Sequence, residues 1–93
     1  MCYFSGLTRQ TILLVSEQVG AKWKQLCRHL EVLETTIENI DLYHCFVLEK
    51  AYQGLLEWVR EKGQEATKCV LVKTLENVGL KNVAEKIEGY QTV

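Results

Sequence analysis

The apolar residues of this chain recur mostly at spacings of three and four, which is the period of an amphipathic α-helix. Two such faces each contain a tryptophan, and one Trp from each of two helices is expected to fix how the two helices pack in a common core. The residues on these faces are Trp23, Leu26, Cys27 and Leu30 in the first segment and Ala51, Leu55 and Trp58 in the second.

The first half of the pattern predicts a first helix in two pieces, a second helix and a less regular third element. Thr8 or Thr11 is a candidate cap for the first helix, and Gly20 predicts a bend before the helix resumes. The second helix is expected at residues 33–41. Residues 42–47, LYHCFV, are rich in β-branched and aromatic side chains, but a lone strand has no partner, which leaves a short third helix or an ordered loop.

The second half of the pattern predicts three further helices joined by short links. Thr67, or Glu65 just before it, is expected to start the fifth helix. Short links force neighbouring helices together, so the prediction is an all-α, six-helix fold. The last three helices are expected at residues 48–62, at residues 67–78 and from about Leu80 or Lys81 to Glu88, and a glycine follows each of them, namely Gly63, Gly79 and Gly89.

Length and composition indicate one globular domain. The chain has 93 residues, of which 47% are apolar and 25% charged, and it contains no proline, which fits a mostly helical chain. We expect a single domain over residues 1–93 with its core at about residues 8–89. The longest apolar run, Ile12 to Val15, is too short for a membrane span or a signal peptide, so no membrane insertion is expected.

Charge and cysteine content bear on nucleic-acid binding and on the cellular compartment. Eleven basic and twelve acidic residues give a net charge of −1, which implies no general affinity for nucleic acid. The four cysteines are far apart, without a CxxC pair. We interpret them as reduced thiols of a cytoplasmic protein.

Catalytic and metal-binding chemistry has few candidate residues. His44 and Cys45 are neighbours, but no second pair at the usual spacing completes a tetrahedral metal site. Adjacent side chains diverge on a helix or strand, so His44 is badly placed to activate Cys45. The glycines are isolated and form no phosphate-binding loop. We therefore expect neither an enzyme nor a metal or cofactor site.

The charges are unevenly distributed among the predicted helices. Such a chain can recognise a copy of itself or a relative by docking oppositely charged patches, although ordinary mixed-sign solubility explains the pattern equally well. Basic residues lie on the Trp23 helix and on the last two helices, whereas the second helix carries the carboxylates Glu34, Glu38 and Asp41.

Several segments in order resemble the death domain family: VGAKWKQLCRHL, TTIENI, AYQGLLEW, ATKCVLVKTLENVGL and NVAEKIE. The resemblance covers Val15 to Gly89, with Trp23 and Trp58 at the positions where that family keeps core tryptophans. It implies an antiparallel six-helix Greek-key bundle. It also implies a non-enzymatic adaptor module that assembles with other death domains, by self-association or with different partners, in apoptotic or innate-immune signalling.

The resemblance further implies which residues contact partners. The family docks through asymmetric contacts, of which the first sets the first and fourth helices of one molecule against the second helix of its neighbour. On this sequence that contact would oppose Lys24, Arg28, Glu57 and Arg60 to Glu34, Glu38 and Asp41. A second contact would oppose Arg60, Lys62 and Gln64 to Asn77, Lys81 and Asn82. A third uses the third helix and the loops around it.

The sequence departs from the family pattern at two places that matter below. Leu33 stands where a polar cap often precedes the second helix, and the LYHCFV segment is apolar where the family is normally polar. Two rival classes stay open: another helical interaction domain, of the caspase recruitment or sterile alpha motif type, and a small helical enzyme or metal-binding protein.

Overall fold

A computed structural model describes the backbone of residues 9–91 and the side chains of residues 9–87. Within these residues the fold is all-α, as predicted, and contains no strand. Two short 3-10 turns, Gly20–Lys22 and Gly63–Glu65, follow the first and fourth helical segments. The α-helices are α1 (Arg9–Val19), α2 (Trp23–His29), α3 (Glu34–Tyr43), α4 (Val47–Lys62), α5 (Lys68–Asn77) and α6 (Lys81–Gln91).

The first predicted helix is present in two pieces, α1 and α2. The bend lies at Gly20, which has a φ of +56° and opens the 3-10 turn between the two pieces. Of the two candidate caps, Thr8 lies outside the described residues. Thr11 is buried within α1, so it packs in the core and does not cap the helix.

The predicted short third helix does not form, and the alternative of an ordered loop is correct. The second predicted helix continues through Tyr43 as α3, and α4 begins at Val47. Residues 44–46 remain between them, and both His44 and Phe46 have extended backbone. Three residues are too few for a stable helical turn of their own. The described chain therefore contains five of the six predicted helices.

The ends of the later helices follow the sequence signals with one exception. Gly63 ends α4 with a φ of +56°, a conformation that glycine adopts without steric cost. Thr67 caps α5, since its side-chain oxygen accepts a hydrogen bond of 3.2 Å from the Val70 N–H. The prediction that Gly89 stops the last helix is wrong, because α6 continues through it to Gln91. Glycine lowers helix stability but does not by itself force the left-handed turn that ends a helix.

The core is built around α4, which packs against α1, α2 and α3, while α6 packs against α5 and α1. Trp23 and Trp58 are both buried, so the two predicted core tryptophans are confirmed. Gly54 marks a close approach of α2 to α4, because a Cβ at this position would lie 2.4 Å from Cys27 Sγ. The absent side chain lets the two helices meet, and α4 thereby holds both surfaces described below.

Candidate protein-binding surface

The turn between α2 and α3 brings the basic and acidic helices together. The N–H of Val32 donates to the carbonyl of Cys27 and that of Glu31 to the carbonyl of Arg28, both at 3.0 Å. This is the hydrogen-bond pattern of a Schellman motif, with Glu31 at the left-handed position and a φ of 69°. The chain reverses over four residues, and α3 contacts α2 directly.

Arg28 on α2 and Glu34 on α3 form a two-point ion pair within the chain. Arg28 Nε donates to Glu34 Oε1 at 3.0 Å, and its Nη2 donates to Oε2 at 2.9 Å. The two N–H donors of the guanidinium thus face the two oxygens of the carboxylate, which is the bidentate geometry that favours an arginine–carboxylate pair. The hydrogen bond from Arg28 holds the pKa of Glu34 below its ordinary value, and the same bond raises the pKa of Arg28.

Asp41 joins three helices. Its Oδ2 lies 2.8 Å from Lys24 Nζ of α2, and its Oδ1 lies 2.6 Å from Lys50 Nζ of α4. The hydrogen bonds from Lys24 and then Lys50 lower the pKa of Asp41 to about 2. Lys24 Nζ also lies 5.9 Å from the centroid of the Trp23 ring, within the range of a cation–π contact. We call this surface the charged face, and it consists of Lys24, Arg28, Glu34, Glu38, Asp41 and Lys50.

Glu38 differs from its neighbours on the charged face. It is exposed one helical turn from Glu34, and it forms no ion pair with another described residue. Arg28 nevertheless lies near enough for Glu38 to contribute to its raised pKa. Glu38 is therefore a carboxylate of α3 that a partner can bind without first breaking an ion pair of the described chain.

The two α4 residues of the first predicted contact pair with each other. Arg60 Nη1 lies 2.5 Å from Glu57 Oε2, at the i, i+3 spacing that puts both on one side of the helix. Glu57 also lines a surface groove of about 330 Å³ between α3 and α4. The other residues that line this groove are Thr36, Asn39, Ile40, Tyr43, His44 and Gln53.

The residues of the second predicted contact are spread over two regions. Lys62, at the end of α4, pairs with Glu31 at 2.8 Å, which raises the pKa of Lys62 and lowers that of Glu31. Gln64 is exposed on the 3-10 turn that follows. The opposing set lies exposed around the α5–α6 turn and comprises Asn77, Lys81 and Asn82.

The structure thus joins within one molecule several residues that the sequence assigned to opposite partners. Lys24 and Arg28 pair with α3 of their own chain. Lys50 is a further member of the charged face that the sequence did not indicate, because its contact with Asp41 depends on how α4 passes α3. The apolar residues around the 44–46 link are exposed, as the unusual composition of LYHCFV could have signalled.

Among the described side chains, those of residues 9–87, no group of three His, Cys, Asp or Glu could hold a metal ion. Cys27 is buried, and burial raises the pKa of its thiol to about 12, which leaves it a poor nucleophile. None of the helices in the described range is long and apolar enough to span a membrane.

Comparison with known proteins assigns the chain to a family. It is 32% identical over 79 residues to the FAS-associated death domain protein of Mus musculus, which covers 84% of this chain and 38% of that protein. It is 32% identical over 68 residues to Tumor necrosis factor receptor superfamily member 10B of Mus musculus, covering 73% and 18%. It is 28% identical over 81 residues to THO complex subunit 1 of Homo sapiens, covering 87% and 12%.

The chain thus spans well under half the length of each of these relatives. Its match to a family model is more extensive. The Death domain model matches residues 9–91, which is the whole of the described fold and includes both core tryptophans and the charged face. This chain therefore belongs to the death domain family.

Proposed function

We propose that the chain is a non-enzymatic interaction module that binds other death domains in cytoplasmic signalling complexes of apoptosis. The observation that carries this proposal is the family match over the entire helical bundle. Two of the relatives are named for FAS association and for the tumor necrosis factor receptor superfamily, which favours apoptosis over innate immunity as the setting. THO complex subunit 1 bears neither name, so the partner has to be identified by binding.

The charged face is the first proposed docking surface. Its Arg28–Glu34 ion pair is exposed, and exposed pairs contribute little to the stability of a fold because water and salt compete for the same charges. A partner that offers its own carboxylate to Arg28, or its own cation to Glu34, therefore replaces one exposed pair by another at small cost. Glu38 forms no ion pair with another described residue, so a cation of the partner can bind to it without replacing one. Selectivity then comes from how well the partner's charges match the pattern.

The fourth helix extends this contact, and its C-terminal end begins the second one. Glu57 and Arg60 lie on the α4 side of the first contact, as a pair within one turn. Arg60, Lys62 and Gln64 would face the exposed α5–α6 turn of a neighbour. That turn carries Asn77, Lys81 and Asn82, whose two amides and one ammonium can bond to either sign of partner charge.

Binding to purified death domains tests the proposal. The first probes are the death domains of the FAS-associated death domain protein and of receptor member 10B, and a second copy of this chain is included. We expect at least one of them to bind and the binding to weaken as salt is added, since exposed charges are screened beyond about 8–10 Å at ordinary ionic strength. Absence of binding to any death domain would contradict the proposed function.

Charge reversal tests the surface. Glu38→Lys and Arg28→Glu should each weaken binding, and mixing the two variants should restore the association that each lacks with the unmodified chain. Matched controls are Glu85→Lys on α6 and Lys73→Glu on α5, which make the same charge changes at exposed positions elsewhere. If the controls weaken binding as much as the test variants, net charge is responsible and the assignment of the charged face is wrong.

A further inference from the structure

An apolar patch covers the corner where α3 meets α4. Leu42, Tyr43 and Phe46 are 76%, 77% and 77% exposed, although each is a large apolar or aromatic side chain. Most of the large apolar side chains that are exposed within residues 9–87 belong to this corner. The apolar corner, as we call it, consists of Leu42, Tyr43, Phe46, Val47 and Leu48.

The area of the apolar corner is large for a chain of this size. At their observed exposure, Tyr43 and Phe46 together present roughly 250–400 Å² of side-chain surface. The largest apolar patch of a typical monomer measures about 300–600 Å² in total and is often functional. With three further apolar side chains beside the two aromatic ones, the corner reaches the upper part of that range.

Phe46 also departs from the local preferences of the chain. It is the N-cap residue of α4, a position where Ser, Thr, Asp or Asn would accept a hydrogen bond from the first turn of the helix. The phenyl ring has no atom that can do this, and it is exposed to water as well. Phe46 therefore neither caps α4 nor is shielded from water within the monomer. A contact with another molecule would explain why an aromatic residue occupies this position.

The rim of the apolar corner does not repel a second copy. Asp41, next to Leu42, lies between the ammonium groups of Lys24 and Lys50. Glu49 accepts a hydrogen bond of 2.8 Å from Gln53. The rim thus combines two cations with two anions, and like-charge repulsion between two identical rims is small.

We propose that two copies of this chain associate through their apolar corners about a two-fold axis. The two aromatic side chains alone supply roughly a third to a half of the ~800 Å² that each partner contributes to a standard interface. The same patch on a second copy is equally apolar, so the contact is self-complementary, as a two-fold interface requires. The groove between α3 and α4 shares Tyr43 with the corner, but most of its other lining residues are polar, so the contact is centred on the corner itself.

This inference rests on the proposed function in that it treats the chain as an association module, but it concerns a different surface and a different force. Sedimentation equilibrium of the 93-residue chain should reveal a dimer. Phe46→Ser should raise its dissociation constant at least about 30-fold, since a central aromatic is lost from both copies. The new Ser can cap α4, so the variant should fold at least as well. A chain that stays monomeric up to about 1 mM overturns the proposal.

Leu33→Ser is the matched control. Leu33 is also an exposed apolar N-cap residue, 60% exposed at the opposite end of α3. The replacement makes the same kind of change without altering charge, and it should leave the dissociation constant within about twofold. Equal loss of dimer in both variants would show that the apolar corner has no special role and would overturn the proposal.

Chemical cross-linking locates the contact. Cys45 is exposed within the 44–46 link, so in the symmetric dimer the two Cys45 thiols lie close to the axis. In a Cys2→Ser background, a short bis-maleimide should join Cys45 to Cys45, as peptide mapping would show. A link from Cys45 to Cys69 of α5 would instead indicate that Phe46 enters the hollow of about 230 Å³ lined by Leu30, Trp58 and Val70, and the two-fold arrangement would be wrong.

Salt separates the failure of this proposal from failure of the proposed function. Dimerisation by the apolar corner should persist or strengthen as salt is added, whereas docking by the charged face should weaken. A salt-weakened dimer that Phe46→Ser leaves intact overturns the apolar contact and leaves the proposed function standing. A salt-resistant dimer abolished by Phe46→Ser supports it even if no other death domain binds.

Discussion

The charged face and the apolar corner adjoin each other on α3, yet they have opposite relations to the rest of the molecule. Lys24, Arg28 and Lys50 each reach a carboxylate of α3 within their own chain. At the corner, Tyr43 and Phe46 extend into solvent. These three cations are thus paired within the monomer, whereas the large apolar side chains Tyr43 and Phe46 are left exposed.

Side-chain length and the length of the link explain this difference. Lysine and arginine are long and flexible, so they can find an anion on a neighbouring helix while their charged ends remain in water. Tyr43 precedes the three-residue link 44–46 and Phe46 is its last residue, and the link connects two helices already packed against each other. The short extended link leaves them no path back to a core that other side chains fill. Local sequence therefore sets the exposure of the corner, and the fold sets the pairing of the charged face.

Replacement of Trp58 in α4 should have the largest effect on stability. Because α4 carries both Lys50 and the apolar residues 47–48, both surfaces depend on its packing. Trp58 is 2% exposed, and we expect Trp58→Ala to lower the free energy of unfolding by ~3–5 kcal/mol. Phe46→Ala is the matched control, since it truncates an exposed aromatic residue and should change stability by no more than ~0.5 kcal/mol. Urea denaturation of both variants measures the difference. Equal losses would contradict the contrast between core and corner.

A methyl group at Gly54 should have an intermediate effect. Its Cβ would lie 2.4 Å from Cys27 Sγ, and overpacking of this kind costs ~1–3 kcal/mol, against the ~1 kcal/mol that Ala gains over Gly in a helix. We expect Gly54→Ala to lose about 1 kcal/mol net and to push α2 away from α4. The pKa of Asp41, followed by NMR, should then rise from about 2 towards 3.8, because Lys24 and Lys50 no longer converge on it.

Cys27→Ala tests the cause that we assign to the Gly54→Ala effect. In the Gly54→Ala background it removes the sulfur that the new methyl meets, so the two substitutions together should cost less than the sum of their separate effects. Strict additivity of the two losses would show that the contact between Cys27 and position 54 is not responsible.

Acid pH should have the smallest effect on stability, and Asp41 of the charged face is the group whose pKa is lowered to about 2. The pKa of Asp41 is lowered in the folded state from 3.8 to about 2. Its contribution to stability is therefore complete above pH 3.8 and is lost as the pH falls through about 2. The lowered pKa values of Glu34 and Glu31 act in the same direction.

Asp41→Asn measures this contribution. The urea midpoint of the unmodified chain should fall as the pH is lowered from 3.8 to about 2, and the fall should be shallower in the variant, which has no carboxyl to protonate at this position. Phe46→Ser serves as the control, since it changes the apolar corner and should keep the slope of the unmodified chain. Identical slopes in all three proteins would mean that the pairing of Asp41 with Lys24 and Lys50 does not persist in solution.

The helices with the strongest signals were predictable. The fourth was expected at residues 48–62 and is observed at Val47–Lys62, because its apolar period is clear and Gly63 ends it. The expected break at Gly20 and the cap at Thr67 are also present. The prediction of a short third helix was wrong because α3 and α4 extend into the LYHCFV segment from both sides. The composition of the segment does not show how far its flanking helices reach.

The helical faces that carry the candidate-site residues were predictable, but the contacts between those faces were not. Glu34, Glu38 and Asp41 could be grouped on one face from their helical spacing, and Lys24 and Arg28 could be grouped likewise. Whether the two groups meet within a chain or between chains depends on the Schellman turn at Glu31. Glycine is the usual residue at that position, and Glu gives no such signal.

By itself, the sequence determined five of the six predicted helices, the tryptophan core and the helical face on which each charge lies, because these depend on periodicity and on residues close in the chain. The tertiary structure decided that Asp41 bridges Lys24 and Lys50 and that Arg28 pairs with Glu34 of its own chain. Such contacts depend on how α2, α3 and α4 cross, and the crossing is set by close packing at Gly54 and by the geometry of two short links. The pattern of any single segment does not contain that information.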